Sequence, residues 1–143
     1  MQRAQGGARP LLVGRPIQIQ PYDIDFAAHV NNAVYVRWLE DLRMDMLRAY
    51  CPMRPLMEEG LAPVVAATHI RYVKPLKLFD APVGRMWCAE MGRATLTLEA
   101  EIAVGDTVYT AATQRVMMVN WQTEKAARVP LELRERFARE AGP

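Results

Sequence analysis

Between residues 22 and 35 the chain reads YDIDFAAHVNNAVY, and Asp23, Asp25, His29, Asn31 and Asn32 fall within ten residues of one another. The helical apolar spacing that begins at about Val30 sets this cluster at the start of a long helix. A helix N-terminus presents unpaired N–H groups and a partial positive charge. Such an end polarises a carbonyl and stabilises an oxyanion without any charged side chain. A carboxylate held just before it can attack that carbonyl or activate water. A thioester is within reach of this equipment, because its thiolate leaving group needs little acid assistance. Each residue alone also has a structural use. Asp and Asn before a helix are favoured caps, and a single His there commonly serves as a hydrogen-bonded support.

The elements that must hold the cluster follow from periodicity. Ile17 and Ile19 alternate with Gln18 and Gln20, which predicts a short strand over residues 15–22. Tyr35, Trp38, Leu39, Leu42 and Met46 predict one face of a helix over residues 30–48. Val34, Val36 and Met44 widen that face, so the helix needs cover on more than one side, best supplied by a sheet curled around it. Residues 51–60 hold two prolines and predict a brief helix or flap. Strands are then expected over residues 63–74, 81–91, 95–104 and 107–120, with Gly105-Asp106 as a tight turn, and a charged helix over residues 131–141. The later strands are not separated by helices, which excludes a doubly wound parallel sheet. The expected class is α+β: one long helix against an antiparallel sheet of about five strands.

The chain's 143 residues suit one core, read here as a single domain over residues 15–143 behind a loose arm over residues 1–14 that is rich in glycine. A net charge of +2 from scattered Lys and Arg does not point to nucleic acid. Cys51 and Cys88 have no ligand spacing and only two histidines are present, so no metal is expected, and the cysteines read as reduced thiols of a cytoplasmic protein. No apolar run approaches the roughly 20 residues of a bilayer span.

The segments YDIDFAAHVNNAVYVRWLEDLR, IRYVKPLKLFD and VMMVNWQTEKAARVP occur in an order that resembles the 4-hydroxybenzoyl-CoA thioesterase-like branch of the hotdog superfamily. The resemblance covers nearly the whole chain after residue 14. It implies a hotdog fold, a homodimer or a tetramer of dimers with active sites at the subunit interface, and hydrolysis of an acyl-CoA to free acid and CoA. CoA is then part of the substrate, and no cofactor is implied. The second Asp of the DxD pair, here Asp25, would be the catalytic carboxylate, as nucleophile or general base. The N–H that binds the thioester carbonyl would come from about Asn32, and His29 matches the His of the HVNN element in acyl-ACP thioesterases. Those enzymes carry an Asn where this chain has Ala27, and an acid where it has Pro75, so the match favours a mechanism centred on Asp25. Lys74, Lys77 and Arg93 are the expected partners of CoA phosphates, and Tyr35, Trp38, Val65 and Trp87 the expected acyl-pocket walls. Two alternatives share the fold: a non-catalytic acyl-CoA-binding or regulatory domain, and an acyl hydratase or dehydratase. The second needs a His near a Gly-Pro loop, which His29 lacks.

Overall fold

The long helix α1 (Val34–Tyr50) buries Val34, Tyr35, Trp38, Leu39, Leu42 and Met46 along one face, the stripe that its spacing predicts. The computed structural model describes residues 7–143, and in it α1 lies against an antiparallel sheet of six strands. These are β1 (Val13–Pro16), β2 (Leu61–Tyr72), β3 (Val83–Met91), β4 (Thr95–Val104), β5 (Thr107–Asn120) and β6 (Lys125–Ala126). They run in the order β1-β3-β4-β5-β2, with β6 paired to one end of β5. Two further helices complete the described chain, α2 (Met53–Glu58) and α3 (Leu131–Ala141). The class is α+β with a curled antiparallel sheet, as expected.

Curvature comes from irregular pairing. Register shifts fall between Val65 and Ala67, Cys88 and Glu90, and Ile102 and Ala103, and each extra residue bends its strand and increases the local twist. Gly84 lets the helix approach the sheet. A Cβ there would stand 2.9 Å from Ile17 Cδ1 and 3.1 Å from Leu42 Cδ1. Burying a side chain such as Leu42 contributes about 1.5–3 kcal/mol.

Three boundaries differ from expectation. First, α1 starts at Val34 rather than near Val30, because the amides of Val30, Asn31 and Ala33 are taken up by the turn described below. Second, the first strand lies at Val13–Pro16, earlier than residues 15–22, and a 3-10 turn at Pro21–Asp23 ends the extended stretch after it. Third, the loose arm over residues 1–14 is corrected in its latter part, while residues 1–6 lie outside the described chain. Leu11 is fully buried, and the Pro10 carbonyl accepts the Cys88 N–H at 2.8 Å. One leucine docking in the main core fixes the segment despite its glycines.

The core has two parts. The larger includes Leu39, Leu42, Met46, Met86, Leu98 and Met118, with Leu11 and Leu133 closing it. The smaller joins Ile17, Ile19, Val30, Val34, Tyr35, Trp38, Leu76 and Ile102 beneath the start of α1. α1 packs most closely on β1 and β3. Its other flank, toward the edge strand β2, is left open, and Val36 there is 49% exposed. No helix of the described residues is long and apolar enough to cross a membrane.

Candidate active site

The loop from Asp23 to Ala33 is held by a run of backbone bonds. The Asp25 N–H donates to the His29 carbonyl at 2.9 Å, and the Ala28 N–H donates back to the Asp25 carbonyl at 3.0 Å. Ala28 closes this turn at a φ of 62°, a left-handed conformation that costs a non-glycine residue about 1–2 kcal/mol. Such strain persists only where surrounding contacts over-determine it, and often at working sites. Asp25 is half-buried, and its Oδ1 accepts the Ala27 N–H at 2.9 Å. No described group bonds its second oxygen.

The amides that lead into α1 can be followed one by one. Val30 N–H donates to the Leu76 carbonyl at 2.9 Å, and Asn31 N–H to the Asp23 carbonyl at 2.8 Å. Ala33 N–H donates to Asn31 Oδ1 at 2.9 Å, and Val34 N–H to the Asn31 carbonyl at 2.9 Å. Between them, the Asn32 N–H has no acceptor among the described residues. It is the unfilled amide in a filled run, at the positive end of a 17-residue helix.

Asp25, His29, Asn32 and Tyr35 line one open cleft of about 580 Å³, together with Tyr72 and Pro75. The structure therefore brings together the expected catalytic trio and one expected wall residue. Tyr72 is the residue that the sequence reading missed. Its hydroxyl donates to the Asn32 carbonyl at 2.9 Å, and its ring meets the Tyr35 ring edge-on at 4.9 Å. Burial raises the pKa of both phenols, so both stay protonated donors. The strand pattern puts residues 68, 70 and 72 on one face of β2, which is the signal that could have pointed to it.

Asp23 and Asn31 act as supports. Asp23 is 3% exposed, its Oδ2 accepts the Gln20 N–H at 2.8 Å, and Arg37 Nη2 lies 3.5 Å from its other oxygen. Asn31 caps the turn through Ala33, as above.

The remaining expected site residues separate. Trp38 is buried in the smaller core, edge-on to Tyr35 at 5.0 Å, and does not line the cleft. Val65 does not line this cleft within its own chain. Tyr72 pairs with Thr110 and on to Ile102, whereas Val65 pairs with Val116 and on to Leu96, so the two positions stand about 20 Å apart along β4. Arg93 lies farther still from the cleft of its own chain, in the β3–β4 turn. Sequence order does not tell which end of a strand meets the helix start, so this separation was not readable from it. Trp87 is buried beneath the Arg9 guanidinium, 4.0 Å from its ring centre. Lys74 and Lys77 flank Pro75 at the cleft's own end of the sheet, both exposed, and Lys74 Nζ sits 4.8 Å over the Tyr109 ring. Among the described residues no group of three or more His, Cys, Asp or Glu is placed to hold a metal ion.

Comparison with known proteins follows the same line. A family model described as the thioesterase-like superfamily matches residues 19–137. The chain is 28% identical over 128 residues to the long-chain acyl-CoA thioesterase FadM of Escherichia coli strain K12, covering 85% of this chain and 93% of that protein. The crystal structure of YbaW, a probable thioesterase from Escherichia coli, superposes with a TM-score of 0.78 at 25% identity, over 90% of this chain and 98% of that one. PA2801, a putative thioesterase from Pseudomonas aeruginosa, gives a TM-score of 0.79 at 23% identity over 87% and 97% of the two chains, which speaks for the fold alone.

Proposed function

This chain belongs to the thioesterase-like superfamily and is a hotdog-fold thioester hydrolase, and from that premise we propose that it cleaves acyl-CoA to free acid and CoA at the Asp25–Asn32 cleft. One observation carries the reading: the unfilled Asn32 amide and the open oxygen of Asp25 line the same cleft. An acyl-CoA in particular is supported by the likeness to a long-chain acyl-CoA thioesterase.

In this mechanism the thioester carbonyl oxygen accepts the Asn32 N–H, and the α1 dipole stabilises the negative charge that builds on it. Asp25 then acts in one of two ways. As nucleophile, its free oxygen bonds the carbonyl carbon, the C–S bond breaks, CoA leaves as thiolate, and water hydrolyses the resulting anhydride. As general base, it takes a proton from a water that attacks the same carbon. Both routes give the acid and CoA. His29 lines the cleft without a described side-chain partner, and in this account it contributes to the site's polarity rather than to bond making.

The assembly we propose is a homodimer, or a tetramer of dimers, joined through β2. That strand is twelve residues long and, among the described residues, pairs on one side only, with β5, so its other edge offers unused ladder groups. Lys74 and Lys77 would meet CoA phosphates at the cleft. Arg93, at the far end of its own sheet, can serve a cleft only across an interface between copies.

The test is thiol release from a series of purified acyl-CoAs, with the free acid identified by mass. Stoichiometric CoA and acid from at least one of them is expected. Tight binding of acyl-CoA with no turnover would favour a non-catalytic binding domain and overturn the proposal.

A further inference from the structure

Tyr72 is 40% exposed although it walls the cleft, so one side of the site is bare in a single chain. The ladder of β2 fixes what a second copy brings to that side. At one end of β2 the Trp121 N–H donates to the Gly60 carbonyl at 3.0 Å, and at the other the Val73 N–H donates to the Tyr109 carbonyl at 2.9 Å. In an antiparallel ladder, bonded residues alternate with residues whose N–H and C=O point the other way. Counting inward from both ends, Leu61, Pro63 and Val65, then Thr68, Ile70 and Tyr72, turn these groups to the free edge. The alternation shifts once between the two sets, at the bulge where Ala66 is the extra residue. All six share the face that looks at α1, where Leu61, Val65 and Ile70 pack against the core.

The bulge restricts how two such edges can meet about a two-fold axis. Either half of β2 paired with its own copy leaves the other half overhanging. The first half of one strand against the second half of the other uses the whole edge. One register pairs all six: Tyr72 with the partner's Leu61, Ile70 with the partner's Pro63, and Thr68 with the partner's Val65. A slip of two residues strands Tyr72 and Val65 in one direction, or Leu61 and Thr68 in the other. The axis then falls between Ala66 and Ala67, where only methyl groups meet. Pro63 accepts the N–H of the partner's Ile70 and, having none itself, returns no bond.

Resting on the edge-paired assembly and the acyl-CoA reading above, we infer that β2 meets β2 of a second copy in this register, and that the partner's Leu61 is a positioning residue of each cleft. Directly opposed residues of this kind stand about 5.5 Å apart and project from the same face. The partner's Leu61 therefore reaches the Tyr72 ring on its bare side. There it backs the tyrosine whose hydroxyl holds the Asn32 carbonyl, and it keeps water from that flank of the cleft. Within one chain Leu61 and Tyr72 are the two ends of β2, about 35 Å apart, so Leu61 serves a cleft only across the interface.

The experiment has two readouts. In this register His69 opposes the partner's Val64 at a non-hydrogen-bonded position, with Cα atoms about 4.5 Å apart and within disulfide reach. His69→Cys/Val64→Cys is expected to give a covalent dimer on mild oxidation, and neither single variant to do so. A dimer in sedimentation that does not link overturns the register, and a monomer overturns the edge-paired assembly with it. The second readout is thiol release after subunit exchange between Leu61→Ala and Asp25→Asn. Leu61→Ala alone is expected to lose about tenfold in kcat. Each heterodimer holds one cleft with both native groups, so the mixture is expected to reach about a quarter of wild-type activity, about fivefold above the average of the two variants. No gain on mixing, or full activity of Leu61→Ala alone, overturns the role of Leu61; a merely structural role lowers the melting temperature without any gain on mixing. Leu61→Thr, which suits a strand, takes the place of the alanine variant if that one does not fold. A wild type inactive on every acyl-CoA overturns the acyl-CoA reading, while the cross-link still decides the register.

Discussion

Asp25 has one carboxylate oxygen held by the Ala27 amide and the other directed to no described group, an arrangement that orients the side chain while leaving it able to react. Capping does not account for this residue. It precedes α1 by nine positions, and the turn into the helix is capped by Asn31. His29 stands in the same cleft and makes no described side-chain bond, so its removal leaves no orphaned partner. His29→Ala is therefore expected to lower kcat by no more than about tenfold, with the melting temperature unchanged. A loss greater than that of an Asp25 substitution, in steady-state thiol release, would exchange the two roles. Oxygen-18 water in a single turnover separates the two forms of the Asp25 mechanism, because only the anhydride route leaves label in the Asp25 carboxylate. The sequence made this cluster legible because its chemistry is local: Asp25, His29 and Asn32 are near in the chain and near in space. Tyr72 was not legible, since it reaches Asn32 from 40 residues away, and pairing register decides that contact.

The elements show why the site is where it is. α1 is placed by its own apolar stripe, by Gly84 beneath Leu42, and by the bulged strands that curl around it. The end of β2 then comes to the start of α1, and Tyr72 bridges them. A tyrosine that holds the Asn32 carbonyl fixes the orientation of the neighbouring amide. Tyr72→Phe keeps the ring against Tyr35 and removes only the donor. It is expected to lower kcat by about tenfold with KM nearly unchanged, from the loss of one hydrogen bond of about 0.5–1.5 kcal/mol. A rise in KM alone would show that Tyr72 serves as wall and not as brace. The types of the longer elements were readable, because periods of two and of 3.6 residues are properties of the sequence itself, whereas the two-residue β6 and the 3-10 turn at Pro21–Asp23 are too short to show a period. Element ends were less so. Leu11 is a single buried residue ahead of a four-residue strand, too short a signal for periodicity to report.

At the scale of the whole molecule, one chain leaves two things incomplete: the free edge of β2 and the open flank of α1 beside it. A second copy placed on that edge would cover both. It would also bring in the opposite end of another sheet, where Val65 and Arg93 stand. Val64 is 47% exposed on β2, and Val64→Lys is expected to shift sedimentation from dimer toward monomer and to lower specific activity in proportion at low protein concentration. A monomeric wild type with full activity would contradict the edge-paired assembly. Which end of the sheet serves which cleft was not readable from sequence, because it depends on strand order and on the partner together.

The central claim is that Asp25 does the chemistry on a carbonyl held by the Asn32 amide. It is tested most directly by kcat for the best acyl-CoA substrate with Asp25→Asn, which keeps the bond from the Ala27 amide to a side-chain oxygen and removes the charge. The account predicts a fall of about a thousandfold or more with an unchanged melting temperature. Turnover within about tenfold of wild type in the folded variant would contradict it.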